Sequence, residues 1–556
     1  MRVAKQPDDL GYAFLPDGEH IAETMTYVQL DEAAQTIAAS VPAPEDVILL
    51  YHSGLDFIRA LFGCMYAGVA PAPVQVPRNR QGFERLRRIA RDAATTTVLT
   101  TAAVRDDLQD RFGPTELVFV ATDTLAGGAV ARCPDPGDTA LLQYTSGSTG
   151  DPKGVMVTHA NFLSNLAETE ELWPCGLDAT VVSWLPLFHD MGLLFGVLLP
   201  LWAGAPCYLM PPEAFIRRPA RWLEAISRFG GTHAAAPSFA YDLCVRAAAE
   251  GRTSGVGDLS SWRIAANGAE PVRWRTIQAF TETFAAYGFR PEAMTPGYGL
   301  AENTLKATGG SPDRAPTVLW LSAKALGAGL AEIADPAAPG ATPIVSSGVP
   351  VLSTKVRIVG PDTLAELPPG HVGEIWVSGP CVAAGYLGRP GLSEETFRAR
   401  VRGEPHLRTG DLGFLHEGEL YVTGRLKDVI IRKGRNHYPQ DLELSVESVL
   451  PGLRPNCAAA FSVDDGTREL LVIVVEADGR VLNTHGAQAL RERVHDVVRE
   501  DHRLTPDDVL VVRRGALPKT SSGKIQRSAC RKHYVAGKFI PVENQSLSNK
   551  SGKCQT

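Results

Sequence analysis

From about residue 25 to 420 the apolar positions change repeatedly between two patterns. One repeats every three to four residues, as one face of a helix does. The other is a short continuous apolar run, as in a buried strand. Residues 55–66 and 219–228 read as helices, and residues 98–101, 180–185 and 263–266 read as strands. Such alternation predicts α/β layers around largely parallel sheets, since each helix returns the chain to the edge where the next parallel strand begins. Residues 193–210 form the most apolar window, but Gly196, Pro200, Gly204 and Pro206 interrupt it. It reads as a buried helix, a turn and a strand, with no integral membrane segment.

A Pro/Gly/Ala-rich run at residues 307–343 breaks the alternation. From Lys355 the texture changes to short strands and turns, as at residues 355–359 and 373–377. A charged junction, Gly424-Arg-Leu-Lys-Asp428, then leads into a compact α+β piece, and a domain boundary is expected there. The Ser/Lys-rich end of the chain, residues 541–556, reads as a disordered tail.

At 556 residues the chain is too long for one core, so roughly two to four domains are expected. A net charge of −7 spread over that length offers no basic face for nucleic acid. Nine scattered cysteines, none in CxxC spacing, fit reduced thiols and argue against a structural zinc. With no apolar stretch at the N-terminus to act as a signal peptide, the expected location is cytoplasmic.

The segment richest in chemistry is Thr145-Ser146-Gly147-Ser148-Thr149-Gly150-Asp151-Pro152-Lys153-Gly154. Glycines let backbone N–H groups approach an anion, hydroxyls add donors, and Lys153 adds a point charge. It is not a Walker A loop, which needs GxxxxGK followed by Ser or Thr. Strand-like residues on either side make it the tip of a hairpin, suited to a nucleotide triphosphate. A plain surface turn fits the same composition. Further along, Glu302 offers a hard oxygen for Mg²⁺ and Tyr298 a flat face for adenine. Asp411 offers two acceptors for ribose hydroxyls, and Lys524, on a Gly/Ser loop, a mobile cation. Singly, each also fits an ordinary surface or turn residue.

Together, their order and spacing resemble the adenylate-forming superfamily of acyl-CoA synthetases, adenylation domains and luciferases, over about residues 20–535. Within it the chain is most similar to the fatty acyl-AMP ligases. The resemblance rests on Trp184-Leu-Pro-Leu-Phe-His-Asp-Met-Gly192, Ala236-Pro-Ser-Phe-Ala-Tyr-Asp-Leu243 and Gly434-Arg-Asn-His-Tyr-Pro-Gln-Asp-Leu-Glu443. Some 45 residues also separate Glu302 from the Ser347-Gly348 turn, where coenzyme A ligases have a shorter connection.

The resemblance implies an α/β fold with a large N-terminal adenylate-forming domain, residues 1–424, of layered α/β subdomains plus a β-barrel-like subdomain. It implies a family-specific insertion at about 305–345, a hinge at 425–428 containing Lys427 and Asp428, and a small mobile α+β domain at 429–540. The implied reaction activates a fatty acid with ATP and Mg²⁺ to an acyl-adenylate, releases pyrophosphate, and passes the acyl group in trans to a phosphopantetheinylated acyl carrier protein. Lys524 would bridge the carboxylate and α-phosphate, Glu302 would hold Mg²⁺, and His189 would stand at the gate between adenylate and acyl sites. Thr145, Ser146, Gly147, Ser148, Thr149, Gly150 and Lys153 would hold phosphates. Asn267, Gly268, Ala269, Glu270, Tyr298 and Gly299 would surround adenine, and Asp411 and Arg425 the ribose. Met191, Leu194, Phe195, Phe239 and Tyr241 would line the acyl tunnel, or equally be ordinary core. Two rivals stand beside this: a fatty acyl-CoA synthetase with an inert insertion, and a non-catalytic scaffold that binds acyl groups or adenylates.

Overall fold

The chain divides into two compact units, one of Met1–Ala325 with Gly329–Thr423, the other of Leu326–Ala328 with Gly424–Thr556. The computed structural model describes residues 2–41, 46–146, 152–432, 435–449, 452–464, 469–520 and 523–542. The tail expected to be disordered falls almost wholly outside them.

The larger unit is built on an eight-stranded sheet. Six of its strands, Leu10–Phe14, Cys207–Leu209, Val181–Ser183, His233–Ala236, Ile264–Asn267 and Met294–Gly299, lie side by side in that order and run parallel. Antiparallel strands Glu23–Thr26 and Lys306–Gly309 close the two edges. Three adjacent strands at the centre, Val181–Ser183, His233–Ala236 and Ile264–Asn267, are buried at every position, which is why they show no alternation. Predicted and observed elements agree closely: Leu55–Ala67 and Ala220–Phe229 are helices, Thr97–Thr100 a strand. A second, four-stranded sheet is wholly parallel. The β-rich part expected after Lys355 is a five-stranded antiparallel sheet containing Lys355–Val359, Gly373–Ser378 and the long strand Glu404–His416.

Residues 193–210 follow the expected helix, turn and strand, with one unforeseen feature. Between the helices Asp190–Leu193 and Leu199–Ala203 the backbone widens into a π-helical segment, Leu194–Leu198. Gly204 then ends the helix in the left-handed region at φ 76° and the strand Cys207–Leu209 follows. Among the described residues no helix is long and apolar enough to cross a membrane. Residues 305–345 are not a bare loop, since Val318–Ser322 and Ala341–Val345 pair antiparallel through five successive residues.

The smaller unit packs Ala487–His502 and Pro439–Glu447 onto a three-stranded sheet. Ala487, Leu490, Val494 and Val498 recur at helical spacing and supply one buried stripe.

One buried group ties stability of the larger unit to pH. His233 is 1% exposed, its Nδ1 lies 2.8 Å from the Thr232 hydroxyl, and burial, then the nearby Arg263, lowers its pKa from 6.5 to about 4. As pH falls below 6.5 the unfolded chain takes up a proton that the folded chain refuses until about 4, so stability declines across that window. The full effect is on the order of 3 kcal/mol. Denaturant unfolding measured at stepwise lower pH should show this slope, flattened in His233→Gln. An identical slope in the variant would assign the loss to other groups.

Candidate active site

The hairpin expected from the sequence is present: Thr139–Ser146 pairs antiparallel with Pro152–Thr158, in a register that sets Gln143 opposite Val155, Thr145 opposite Lys153 and Ser146 opposite Pro152. Its tip, Gly147, Ser148, Thr149, Gly150 and Asp151, lies outside the described residues. Gly385–Tyr386 adds a third strand, with Tyr386 opposite Val155. Because strand side chains alternate, Gln143, Thr145, Lys153, Val155 and Tyr386 share one face. The other face sends Leu142 and Tyr144 into an apolar core with Ile48, Leu86 and Val98. The Tyr144 hydroxyl donates to Asp92 (2.9 Å), and Arg389 donates both to Asp92 (2.6 Å) and to the Pro152 carbonyl (3.1 Å). The hairpin is therefore anchored on its back side.

Glu302 reaches this region from a one-turn helix, Ala301–Asn303, just after the strand Met294–Gly299. A Cβ on Gly299 would lie 1.9 Å from the Leu305 carbonyl oxygen, so the close return of the chain requires glycine. Buried Asn165 donates to the Lys306 carbonyl (2.9 Å) and fixes the return strand. The Glu302 carbonyl accepts from the Ala383 N–H (3.0 Å), and its carboxylate accepts from the Tyr386 hydroxyl (2.8 Å). Tyr298 and Asp411, expected at adenine and ribose, are joined directly: the phenol donates to Asp411 Oδ2 at 2.8 Å. Behind Asp411, half-buried Arg408 donates to buried Glu374 (2.9 Å), while Glu374 also accepts from the Gly410 N–H (3.1 Å).

The remaining candidates lie at the carboxyl ends of the parallel strands, where open α/β sheets place ligands. After Ile264–Asn267 come Gly268, Ala269 and Glu270. A Cβ on Gly268 would stand 2.8 Å from the Gly297 carbonyl oxygen, and Ala269 adopts φ 65°. Asn267 is 1% exposed and accepts the Ser238 hydroxyl (3.0 Å), so it braces the loop. Glu270 accepts the Phe239 N–H (2.7 Å) at the start of helix Ser238–Ala249, where a carboxylate is favoured. His189 caps Asp190–Leu193, its Nδ1 3.4 Å from the Met191 nitrogen and 2.5 Å from Asp190 Oδ1. Gln143 donates to the Phe188 carbonyl (3.1 Å) and ties this loop to the hairpin.

Met191, Leu194 and Phe195 are buried, and Phe239 is partly buried with its ring against Trp184. Tyr241 stands apart. It is fully buried in an aromatic knot with Trp222, Trp262 and Phe280, contacting rings 5.0 to 6.4 Å apart, and its hydroxyl donates to the Ala266 carbonyl. Its surroundings are those of core.

Within the smaller unit, the Lys524 N–H donates to Thr520 Oγ1 (3.0 Å) and its carbonyl accepts from the Thr520 N–H (2.8 Å), a closed turn with a half-buried lysine. Arg425 and Lys427 are exposed. Asp428, ending the short turn Leu426–Asp428, accepts from Arg527 (2.9 Å), which also pairs with buried Glu443 (2.7 Å). The sequence reading missed Tyr386 entirely. Its partner Glu302 lies 84 residues away, and no local pattern marks the pair.

Residues 1–387 match the family model described as AMP-binding enzyme, and residues 427–544 match that of the Disco-interacting protein 2-like AMP domain. The chain is 41% identical to the medium-chain fatty acid acyl-carrier-protein ligase JamA of Moorena producens, over 97% of this chain and 95% of that one. It is 36% identical to the long-chain fatty acid AMP ligase FadD26 of Mycobacterium marinum, over 96% of each. Among solved structures it resembles the fatty acyl-adenylate ligase of Legionella pneumophila in complex with acyl adenylate and pyrophosphate, with a TM-score of 0.75, 37% identity, and coverage of 97% and 95%.

Proposed function

We propose a carrier-loading role for this chain, which belongs to the AMP-binding enzyme family: it activates a fatty acid to an acyl-adenylate and transfers the acyl group to an acyl carrier protein in trans. The observation that carries the reading is the shared polar face of Thr145, Lys153 and Tyr386 with Glu302 hydrogen-bonded to it, in a chain alike over nearly its whole length to JamA.

A fatty acid carboxylate oxygen attacks the α-phosphorus of ATP, and the bond from that phosphorus to the bridging oxygen of pyrophosphate breaks. Both reactants are anions, so acceleration comes from positioning and charge stabilisation more than from covalent or proton-transfer chemistry. Lys153 and the loop it follows hold the β- and γ-phosphates. Asp411, held by Tyr298, accepts from the ribose hydroxyls, and the loop at 267–270 borders adenine. Lys524 neutralises charge on the carboxylate and α-phosphate oxygens. In the second half-reaction a phosphopantetheine thiolate attacks the acyl carbonyl and AMP departs.

The Glu302 carboxylate, a hard oxygen donor fixed by Tyr386, fits Mg²⁺. Glu302 would hold the ion, and phosphate oxygens and water would supply its remaining ligands, as is usual for Mg²⁺. When bound, it neutralises charge on the phosphates.

The test is mass spectrometry of the purified protein with ATP, Mg²⁺ and fatty acids from hexanoate to stearate, with coenzyme A and a phosphopantetheinylated carrier in competition. Acyl-AMP and acyl-carrier without acyl-CoA is the expected result. Abundant acyl-CoA would reassign the chain to the coenzyme A ligases, and no acyl-AMP from any acid would favour a binding scaffold.

A further inference from the structure

We propose that Tyr386 is a positioning residue for nucleotide activation, its hydroxyl aiming the Glu302 carboxylate while its ring supports the Lys153 ammonium. The inference rests on the ATP site proposed above and adds a residue to it.

Tyr386 is 6% exposed, and every part of it is fixed. Its N–H donates to Ser393 Oγ (2.9 Å), its backbone pairs opposite Val155, and Phe397 packs edge-on at 4.9 Å. Gly385 before it adopts φ 148°, and a Cβ there would stand 2.9 Å from Ser393 Oγ, so glycine lets this short strand come close to its neighbour. On that rigid base the two ends of the side chain do different things. The hydroxyl donates to Glu302 Oε1 at 2.8 Å. The ring lies 5.2 Å from Lys153 Nζ, within the range where the negative face of an aromatic ring attracts a cation.

The register explains the arrangement. Lys153 lies two residues before Val155, the partner of Tyr386, so the tyrosine and the lysine are diagonal neighbours on one face of the sheet. Glu302 is held to the same segment twice, by its carbonyl to Ala383 and by its carboxylate to Tyr386. One tyrosine thus sets the relative placement of an anionic group and a cationic group drawn from segments far apart in sequence. A hydrogen-bond partner standing behind a metal-binding carboxylate orients it, and losing such a partner typically weakens metal binding about 10- to 100-fold. Losing an exposed-to-half-buried cation–ring contact is a smaller effect, roughly two- to fivefold.

The two ends can be separated by substitution. Tyr386→Phe keeps the ring and removes the hydroxyl; Tyr386→Leu removes both. The measurement is calorimetric binding of ATP to the full chain without fatty acid, once with EDTA and once with excess Mg²⁺, together with thermal unfolding of each variant. For Tyr386→Phe the expected result is metal-free ATP binding like that of the wild type, an unchanged melting temperature, and a gain in affinity on adding Mg²⁺ that is smaller by about tenfold or more. Tyr386→Leu should in addition bind metal-free ATP roughly two- to fivefold more weakly. If Tyr386→Phe binds ATP like the wild type in both conditions, or weakens both equally, the hydroxyl does not aim Glu302 and the proposal is overturned. A wild type that gains nothing from Mg²⁺ removes the ATP·Mg²⁺ reading of the site itself, and this proposal with it.

Discussion

Replacing Lys524 by alanine is expected to slow acyl-adenylate formation by roughly 10²- to 10³-fold, the usual cost of deleting a group that stabilises charge mainly in the transition state. The reason is electrostatic. As the carboxylate closes on the α-phosphate, two anions approach, and a cation between them stabilises the approach more than either reactant alone. The substitution leaves the local fold alone, because the turn is closed by backbone groups of Lys524 and by Thr520, all of which alanine retains. Pyrophosphate release should therefore collapse while the melting temperature holds. A pyrophosphate rate equal to that of the wild type would take Lys524 out of the mechanism.

Lys427→Pro should divide the two half-reactions. Lys427 is exposed within the one-turn helix Leu426–Asp428, and the following Asp428 is bound to Arg527. If the hinge proposed for residues 425–428 turns between the half-reactions, the turning backbone lies before Asp428, which Arg527 holds. Proline fixes φ near −65°, which suits a short turn of this kind and forbids large rotation. Acyl-AMP formation should stay near the wild-type rate while acylation of the carrier falls to background, both followed by mass spectrometry in a single turnover. Loss of both activities together would instead indicate misfolding, and retention of both would remove the hinge role from Lys427.

Segments whose meaning is local were legible in the sequence. The helix Leu55–Ala67, the strand Val181–Ser183 and the paired strands Thr139–Ser146 and Pro152–Thr158 each announce themselves through an apolar period bounded by glycine, proline or hydroxyl residues. What stayed hidden depends on partners distant in the chain. The link from Tyr298 to Asp411 spans 113 residues, and that from Asn165 to Lys306 spans 141. Neither the residue types nor their spacing predicts them. Tyr241 shows another limit: an apolar helical position has the same sequence signature whether it faces a tunnel or, as here, an aromatic core. His189 was legible as polar chemistry beside apolar neighbours, but its capping of the next helix follows from backbone geometry alone.

The π-helical segment Leu194–Leu198 makes chain length a tunable quantity at this place. A π turn holds about one residue more than the α-helical turns around it. Deleting one residue there would let the backbone relax to α geometry with the flanking helical turns kept nearly in register, since the π turn is where the extra residue is absorbed. Substitution changes the size of one side chain, whereas a one-residue deletion here would re-space the apolar side chains of Leu194–Leu198 among themselves and leave the helices on either side in place. Gain or loss of a single codon is thus an accessible change at this segment, beside point mutation.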